Sequence, residues 1–354
     1  MNTAETWFAK ALGNRNIGLV IALCAILVGF TAAVGPTPFL TTANLTTVAL
    51  AVAIVALVAV GQTAVLLTRN IDLSVGSIVA LAAYFTIELT HAVPGLPLGL
   101  AAVASLAAGA ALGAVNGFFV AIAGLPSIIV TLGTLSIFRG VQFLLSGGHR
   151  ALAGDAVAHF GAGSLLGVPN VAWCALAVAV LVGWLLGWTR VGRDLYAVGN
   201  DPAAARIVGI PIKRRVFTAL VLSGALAGLG GFMYASLYVT VDQGSAVGFE
   251  FAVITAAVIG GVSVFGGVGN PFGAVLGALI LGFINDGLVL LKLAPAYQTA
   301  FQGTALVAVV TVDAFIVRAV ERRERAATRR RRGHTDTDGP LAPVTAPFAV
   351  ARGG

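Results

Sequence analysis

Apolar segments long enough to cross a bilayer recur about ten times along this chain, and its charged residues fall almost wholly in the gaps between them. A transmembrane helix takes roughly 20 predominantly apolar residues. Ten such stretches stand out, at 17–34, 45–68, 73–90, 96–123, 126–145, 170–189, 212–237, 247–264, 271–291 and 297–317. The pattern predicts an all-α polytopic membrane protein. The expected division is an N-terminus of residues 1–16, a transmembrane domain of residues 17–318 and a disordered basic tail of residues 319–354.

Composition agrees with this reading. Charged residues make up 10% of the chain and mean hydropathy is +0.97, whereas a soluble domain carries about 25% charged residues. The 45 glycines fit tightly packed membrane helices, where small residues let backbones approach. A net charge of +7 in a soluble protein would point to nucleic acid. Here the basic residues after Arg318, among them Arg329, Arg330, Arg331 and Arg332, form a cytoplasmic tail that faces anionic lipid. Membrane lipid is therefore the expected partner of the tail, and nucleic acid is not. Cys24 and Cys174 both lie in apolar segments, so no disulfide framework is expected.

Lys and Arg accumulate in cytoplasmic loops. With ten spans and both termini inside, only Arg139, Arg150 and Lys292 of the 21 basic residues fall outside the cytoplasmic regions. The broadest loop on the other side, about 146–169, offers the widest surface to an external partner, or serves only as a connector.

Two stretches match each other. Gly113, Asn116, Val120 and Pro126 correspond to Gly282, Asn285, Val289 and Pro295 at one constant offset. In the ten-span topology Asn116 lies near the inner face and Asn285 near the outer. The two hairpins are thus expected to run in opposite senses, an inverted repeat of the kind transporters use.

Several polar residues interrupt the apolar runs. Asp72 and Ser74 stand where a helix begins and are placed to cap its first amides. Burying a carboxylate in the bilayer costs about 2.5–3.5 kcal/mol on insertion scales. Asp72 is therefore expected at the interface or pointed at protein and water, as a cap paired with Arg69; substrate contact is the other reading. Asn285 and Asp286 lie inside a span and should face the bundle interior or a wet path. The run from Gly260 to Pro271 reads as a tight glycine-rich re-entry. Gly109, Gly113 and Gly117, Gly224 with Gly228, and Gly273 with Gly277 read as packing faces.

The loop after the sixth span differs from the rest. Asn200 or Asp201 before Pro202 signals a helix start, and Gly209 signals a stop. The result is a short cytoplasmic helix with an alanine face and Arg206, more than a connector requires and suited to docking a cytoplasmic partner.

Chemistry classes narrow in turn. No lysine is followed by Ser or Thr, so there is no Walker A motif. The histidines at 91, 149, 159 and 334 make no metal cluster, and no nucleophile–base pair is visible. No catalytic residue, metal or cofactor is expected.

The run Arg69-Asn-Ile-Asp-Leu-Ser-Val-Gly-Ser77 resembles the signature of sugar-type ABC importer permeases, the ribose and xylose group. Asn116-Gly with Pro126, Thr131-Leu-Gly-Thr134, and Gly260-Gly-Val-Ser with Gly266-Gly are similar to further motifs of that family. The resemblance covers about residues 45–315 in the same order. The family usually has Gly-Gly-Ile-Asp where this chain has Arg69-Asn-Ile-Asp72. This variant, together with Leu288 to Tyr297, is similar to the autoinducer-2 and rhamnose permeases. The resemblance implies a non-catalytic subunit in a bacterial inner membrane that translocates a monosaccharide or sugar-like solute. It implies an ABC ATPase inside, an extracytoplasmic solute-binding protein outside, and a second permease subunit, either a copy or a paralogue. Asn200, Asp201, Ala204, Arg206 and Gly209 would couple to the ATPase, and Asp72, Ser74, Asn116, Asn285 and Asp286 are candidates for the pathway or its gates. A branched-chain amino acid permease and a self-sufficient secondary transporter or channel are the alternatives.

Overall fold

The structure is a computed structural model and describes residues 15–335. Most of the expected N-terminal segment, and the tail from residue 336 onward, lie outside the described residues. The chain divides into a unit through Thr311 and a second unit from Val312 on.

Helices dominate, as lipid requires of a backbone that must satisfy its own polar groups. In chain order they are α1 (Arg15–Val34), α2 (Pro36–Phe39), α3 (Thr42–Leu67), α4 (Val75–Ala92), α5 (Leu98–Gly117), α6 (Ser127–Ser146), α7 (Asp155–Ala162), α8 (Asn170–Trp188), α9 (Arg190–Asn200), α10 (Pro202–Ile207), α11 (Ile212–Tyr238), α12 (Phe249–Ile259), α13 (Pro271–Leu290) and α14 (Pro295–Thr335). A π-helical turn at Phe118–Ile122 prolongs α5. The strands are two-residue pieces: β1 (Ala151–Leu152) pairs with β4 (Thr240–Val241), and β2 (Ser164–Leu165) pairs with β3 (Val168–Pro169).

Among the described residues, eight helices are long and apolar enough to cross a membrane. The expected crossing at 247–264 is not one of them. Its helix, α12, has 11 residues, about 17 Å of rise against a hydrocarbon core of about 30 Å. The segment still passes from the far face, where β4 pairs with β1, to the α9–α10 face, where Gly267 N meets Leu67 O, but only its first part is helical and the rest is the glycine-rich run from Gly260 to Asn270. The tenth expected stretch, 297–317, lies within α14, which continues without a break to Thr335.

α3 and α11 form the centre. Both are apolar all round and are buried over most of their length, as expected of helices with no polar face. Glycines set how closely the others approach. A Cβ on Gly109 would run into the carbonyl of Gly224 and the backbone of Gly228, and a Cβ on Gly277 would run into the carbonyl of Ala256. The small-residue steps read from the sequence are therefore contact faces, α5 on α11 and α13 on α12.

Contacts at the helix ends fix the senses. α3 ends beside α9, where the Gly267 amide donates to Leu67 O at 3.0 Å. α6 starts at that same face, where Ile71 N donates to Ser127 Oγ at 3.2 Å. α11 starts there too, shortly after α10, and ends at the opposite face, where β4 pairs with β1. α13 starts next to Gly269, which accepts from the Tyr196 hydroxyl at 2.9 Å. It ends beside the start of α3, where Asn44 Nδ2 donates to Asp286 Oδ2 at 2.7 Å. α3 and α5 thus run toward the α9–α10 face, and α11 and α13 run away from it. The helices that carry the matched stretches, α5 and α13, therefore run in opposite senses. Arg69 (φ 63°) and Val239 (φ 58°), each just past the end of a long core helix, hold equivalent left-handed turns.

The loop at 146–169 is more than a connector. It carries α7, both sheet pieces and an Arg150–Asp242 ion pair of 3.7 Å, and so forms a cap on the face opposite α10.

Candidate functional site

α9 and α10 form a ledge on one face of the bundle. Thr189 caps α9 by accepting from Gly192 N at 3.1 Å. Leu195, Val198 and Gly199 are its buried side. Arg215 of α11 holds Asp194 through Nη2 at 2.7 Å and Nε at 2.8 Å. The Tyr196 hydroxyl donates to Gly269 O at 2.9 Å, and burial pushes the phenol pKa above its ordinary value.

α10 starts and stops where the residue types predict. Asp201 Oδ1 accepts from Ala203 N at 2.9 Å and Ala204 N at 3.0 Å, while Pro202 fills the first helical position. Gly209 takes the left-handed conformation at φ 78° that ends the helix. Ala205 faces the protein, whereas Ala204 and Arg206 are exposed. Ile207 and Val208 are 85% and 74% exposed, an apolar tip with no packing of its own. Asn200 lies at the root of the ledge, against Gly267. The five residues singled out on this loop therefore run from the end of α9 through the cap and body of α10 to its stop.

Asp72 points at protein, one of the two placements expected of it, and is fully buried. It is not paired with Arg69, and neither it nor Ser74 caps the first amides of α4. Arg69 turns the other way: Nε donates to Gly199 O at 2.6 Å and Nη2 to Asn200 O at 2.9 Å. Asp72 accepts from Ser74 N at 3.0 Å and Ser74 Oγ at 2.7 Å through one oxygen, and from Ser223 Oγ at 3.0 Å through the other. These three hydrogen bonds offset part of the cost of burying its oxygens. The network continues: Asn116 Nδ2 donates to Ser74 Oγ at 2.8 Å, and Thr134 Oγ1 donates to Asn116 Oδ1 at 2.7 Å. The segment 68–74 is thus a re-entrant turn that joins α5, α6 and α11 through side chains.

A matching turn enters from the opposite face. Arg139 of α6 donates to Ser245 O at 2.7 Å and Ala246 O at 2.9 Å. Glu250, in the first turn of α12, lies against Gly76 in the first turn of α4, and its Oε2 is buried without a hydrogen-bond partner. The starts of the two helices that follow the re-entrant turns therefore meet inside the bundle.

Asn285 and Asp286 do not join the Asp72 cluster. They line a separate cavity of about 180 Å³ between α3 and α13, with Thr47 and Gln298 at its polar end and Val52 and Leu281 along its apolar wall. Asn285 Oδ1 is buried and has no hydrogen-bond partner. The five pathway candidates therefore fall in two places. Among the described residues no group of three or more His, Cys, Asp or Glu is placed to hold a metal.

Ser223, Arg139 and Glu250 were not singled out from the sequence. Ser223 sits among small residues of α11 and carries no local signal. Arg139 did carry one, as a basic residue inside an apolar span.

The chain matches the family described as branched-chain amino acid transport system / permease component over residues 44–310. It is 38% identical to the autoinducer 2 import system permease protein LsrC of Klebsiella pneumoniae over 321 residues, 89% of this chain and 91% of that protein. It is 36% identical to the D-allose transport system permease protein of Escherichia coli K12 over 297 residues, 83% of this chain and 90% of that protein. No solved structure matches it.

Proposed function

The chain belongs to the permease family of sugar-type ABC importers, and on that premise we propose that it is the membrane subunit through which an ATP-driven importer passes a monosaccharide or sugar-like solute. Rhamnose, D-allose and autoinducer-2 are the first cargoes to test. α10 docks on a separate ATPase subunit at the cytoplasmic face. A solute-binding protein delivers cargo to the opposite face, and a second permease subunit completes the pathway. The bundle lies in a bacterial inner membrane with both termini cytoplasmic.

The observation that carries this reading is the built form of α10. A helix of six residues gains nothing from propensity alone. Here it is capped at both ends, and its apolar tip at Ile207 and Val208 is left uncovered beside Arg206. The chain has no nucleotide-binding motif of its own, so an exposed apolar tip on a rigid ledge fits a groove in a partner that has one. Asn200, Asp201, Ala204, Arg206 and Gly209 form the docking element. Asp72, Ser74 and Asn116 form an internal gate, and Asn285 and Asp286 line an entry cavity on the other face.

Co-purification with the ATPase, lost in an Arg206→Glu/Gly209→Glu double variant, tests the proposal. Solute uptake by vesicles that hold this chain and no ATPase would overturn it. The description of the matched family favours a second reading, in which the cargo is a branched-chain amino acid. Leucine uptake set against sugar uptake by the same complex decides between them.

A further inference from the structure

Arg69 stands where the docking ledge meets the re-entrant turn. Its guanidinium takes the carbonyls of Gly199 and Asn200, the last two residues of α9. Those carbonyls have no N–H donor within the helix, and a cation there meets the negative end of the helix dipole. Asn200 is followed directly by Asp201, the residue that caps α10. Three residues past Arg69 comes Asp72, whose carboxylate organises the buried cluster.

The link is short and stiff. A Cβ on Gly199 would run into Leu67 O, so α9 has no slack against the end of α3. Ile71, between Arg69 and Asp72, is tied to α6 by its amide to Ser127 Oγ and by Thr131 Oγ1 to its carbonyl at 3.3 Å. Arg69 itself holds φ 63°, a left-handed conformation that disfavours any side chain but is open to glycine. A non-glycine residue at such a position points to a use for its side chain. Two further polar ties of the ledge lead elsewhere: Asp194 to Arg215 at the start of α11, and Tyr196 to Gly269 before α13.

We propose that Arg69 is the positioning residue that carries movement of α10 to the buried cluster around Asp72. The proposal rests on the permease reading and adds to it a specific residue and route. When the ATPase shifts α10, the end of α9 moves with it, and the two bonds to Arg69 pull the turn that holds Asp72.

The test uses the full importer complex in liposomes, with Cys24 and Cys174 replaced and a single reporter cysteine introduced. Ala203→Cys, an exposed position of α10, reports on the docking element, and Leu73→Cys, half-buried beside Asp72, reports on the turn. The readout is the change in thiol labelling rate on adding ATP. Arg69→Gly suits the left-handed backbone, so the turn keeps its conformation while the guanidinium is lost. The expected result is an unchanged ATP response at position 203 and an ATP response at position 73 weakened about fivefold or more. Arg69→Lys keeps a charge but not the fork and restores part of the response at 73. A full response at 73 in Arg69→Gly would overturn the proposal. So would loss of the response at 203 in that variant, since Arg69 would then serve docking and not transmission. No ATP response at 203 with Arg69 in place would overturn the permease–ATPase reading itself, and the transmission role with it.

Discussion

The carboxylate of Asp72 accepts a hydrogen bond of 3.0 Å from the hydroxyl of Ser223, across 151 positions of chain and within the apolar centre of the bundle. This bond ties the first re-entrant turn to the central helix α11. Asp72 also holds Ser74, which in turn holds Asn116. Removing the carboxylate strands several buried donors at once.

Asp72→Ala is expected to destabilise the protein by about 1–3 kcal/mol, the cost of leaving buried partners unsatisfied. Ser223→Ala removes a single donor and should cost about 1 kcal/mol. Thermal unfolding in detergent ranks the two, and an Asp72→Ala variant as stable as Ser223→Ala would contradict the network.

Asp201→Ala removes both hydrogen bonds that start α10. Loss of an N-cap costs about 0.5–2 kcal/mol of local helix stability, enough to fray a six-residue element while the bundle stays folded. ATPase pull-down should fall several-fold, with Asp201→Asn retaining most of it. Equal retention by Asp201→Ala would show that docking does not depend on the helix.

Gly224→Val drives a side chain into the backbone of Gly109 and Gly113. Overpacking of this kind costs about 1–3 kcal/mol or more, and here the obstacle is backbone that cannot rotate away. Gly133→Ala is the control, because a Cβ there meets nothing within 4 Å. Melting temperatures of the two variants should separate clearly.

Asp286→Ala loses the 2.7 Å bond from Asn44 and one polar group of the cavity. On the proposed function, solute uptake falls while pull-down of the ATPase is unchanged, because α10 lies at the opposite face. Parallel loss of both would mean the substitution acts through the fold and not through the cavity.

Much of the architecture was open to reading because membrane insertion imposes it residue by residue. Long apolar runs such as Thr42–Leu67 and Ile212–Tyr238 have no other stable state than a buried or lipid-facing helix. Pro202 after Asp201, and Gly209 beyond Ile207, mark a helix start and stop by local geometry alone, and α10 occupies that interval. The opposite senses of α5 and α13 were expected from their matched Gly, Asn and Pro positions.

The rest depended on neighbours remote in sequence. Arg69 and Asp72 are close in the chain and opposite in charge, so local reasoning pairs them. The fold instead offers Arg69 the end of α9 and Asp72 the hydroxyl of Ser223. Phe249–Ile259 is as apolar as a full-length span, yet its helix has only 11 residues and the glycine-rich run after it completes the passage. The sequence by itself determined a helical membrane bundle with a short capped helix at 202–207, because apolar periodicity and capping act locally. Tertiary structure alone decided which carbonyl each charge meets and which apolar helix stops halfway, because those outcomes depend on groups brought together only after the helices pack.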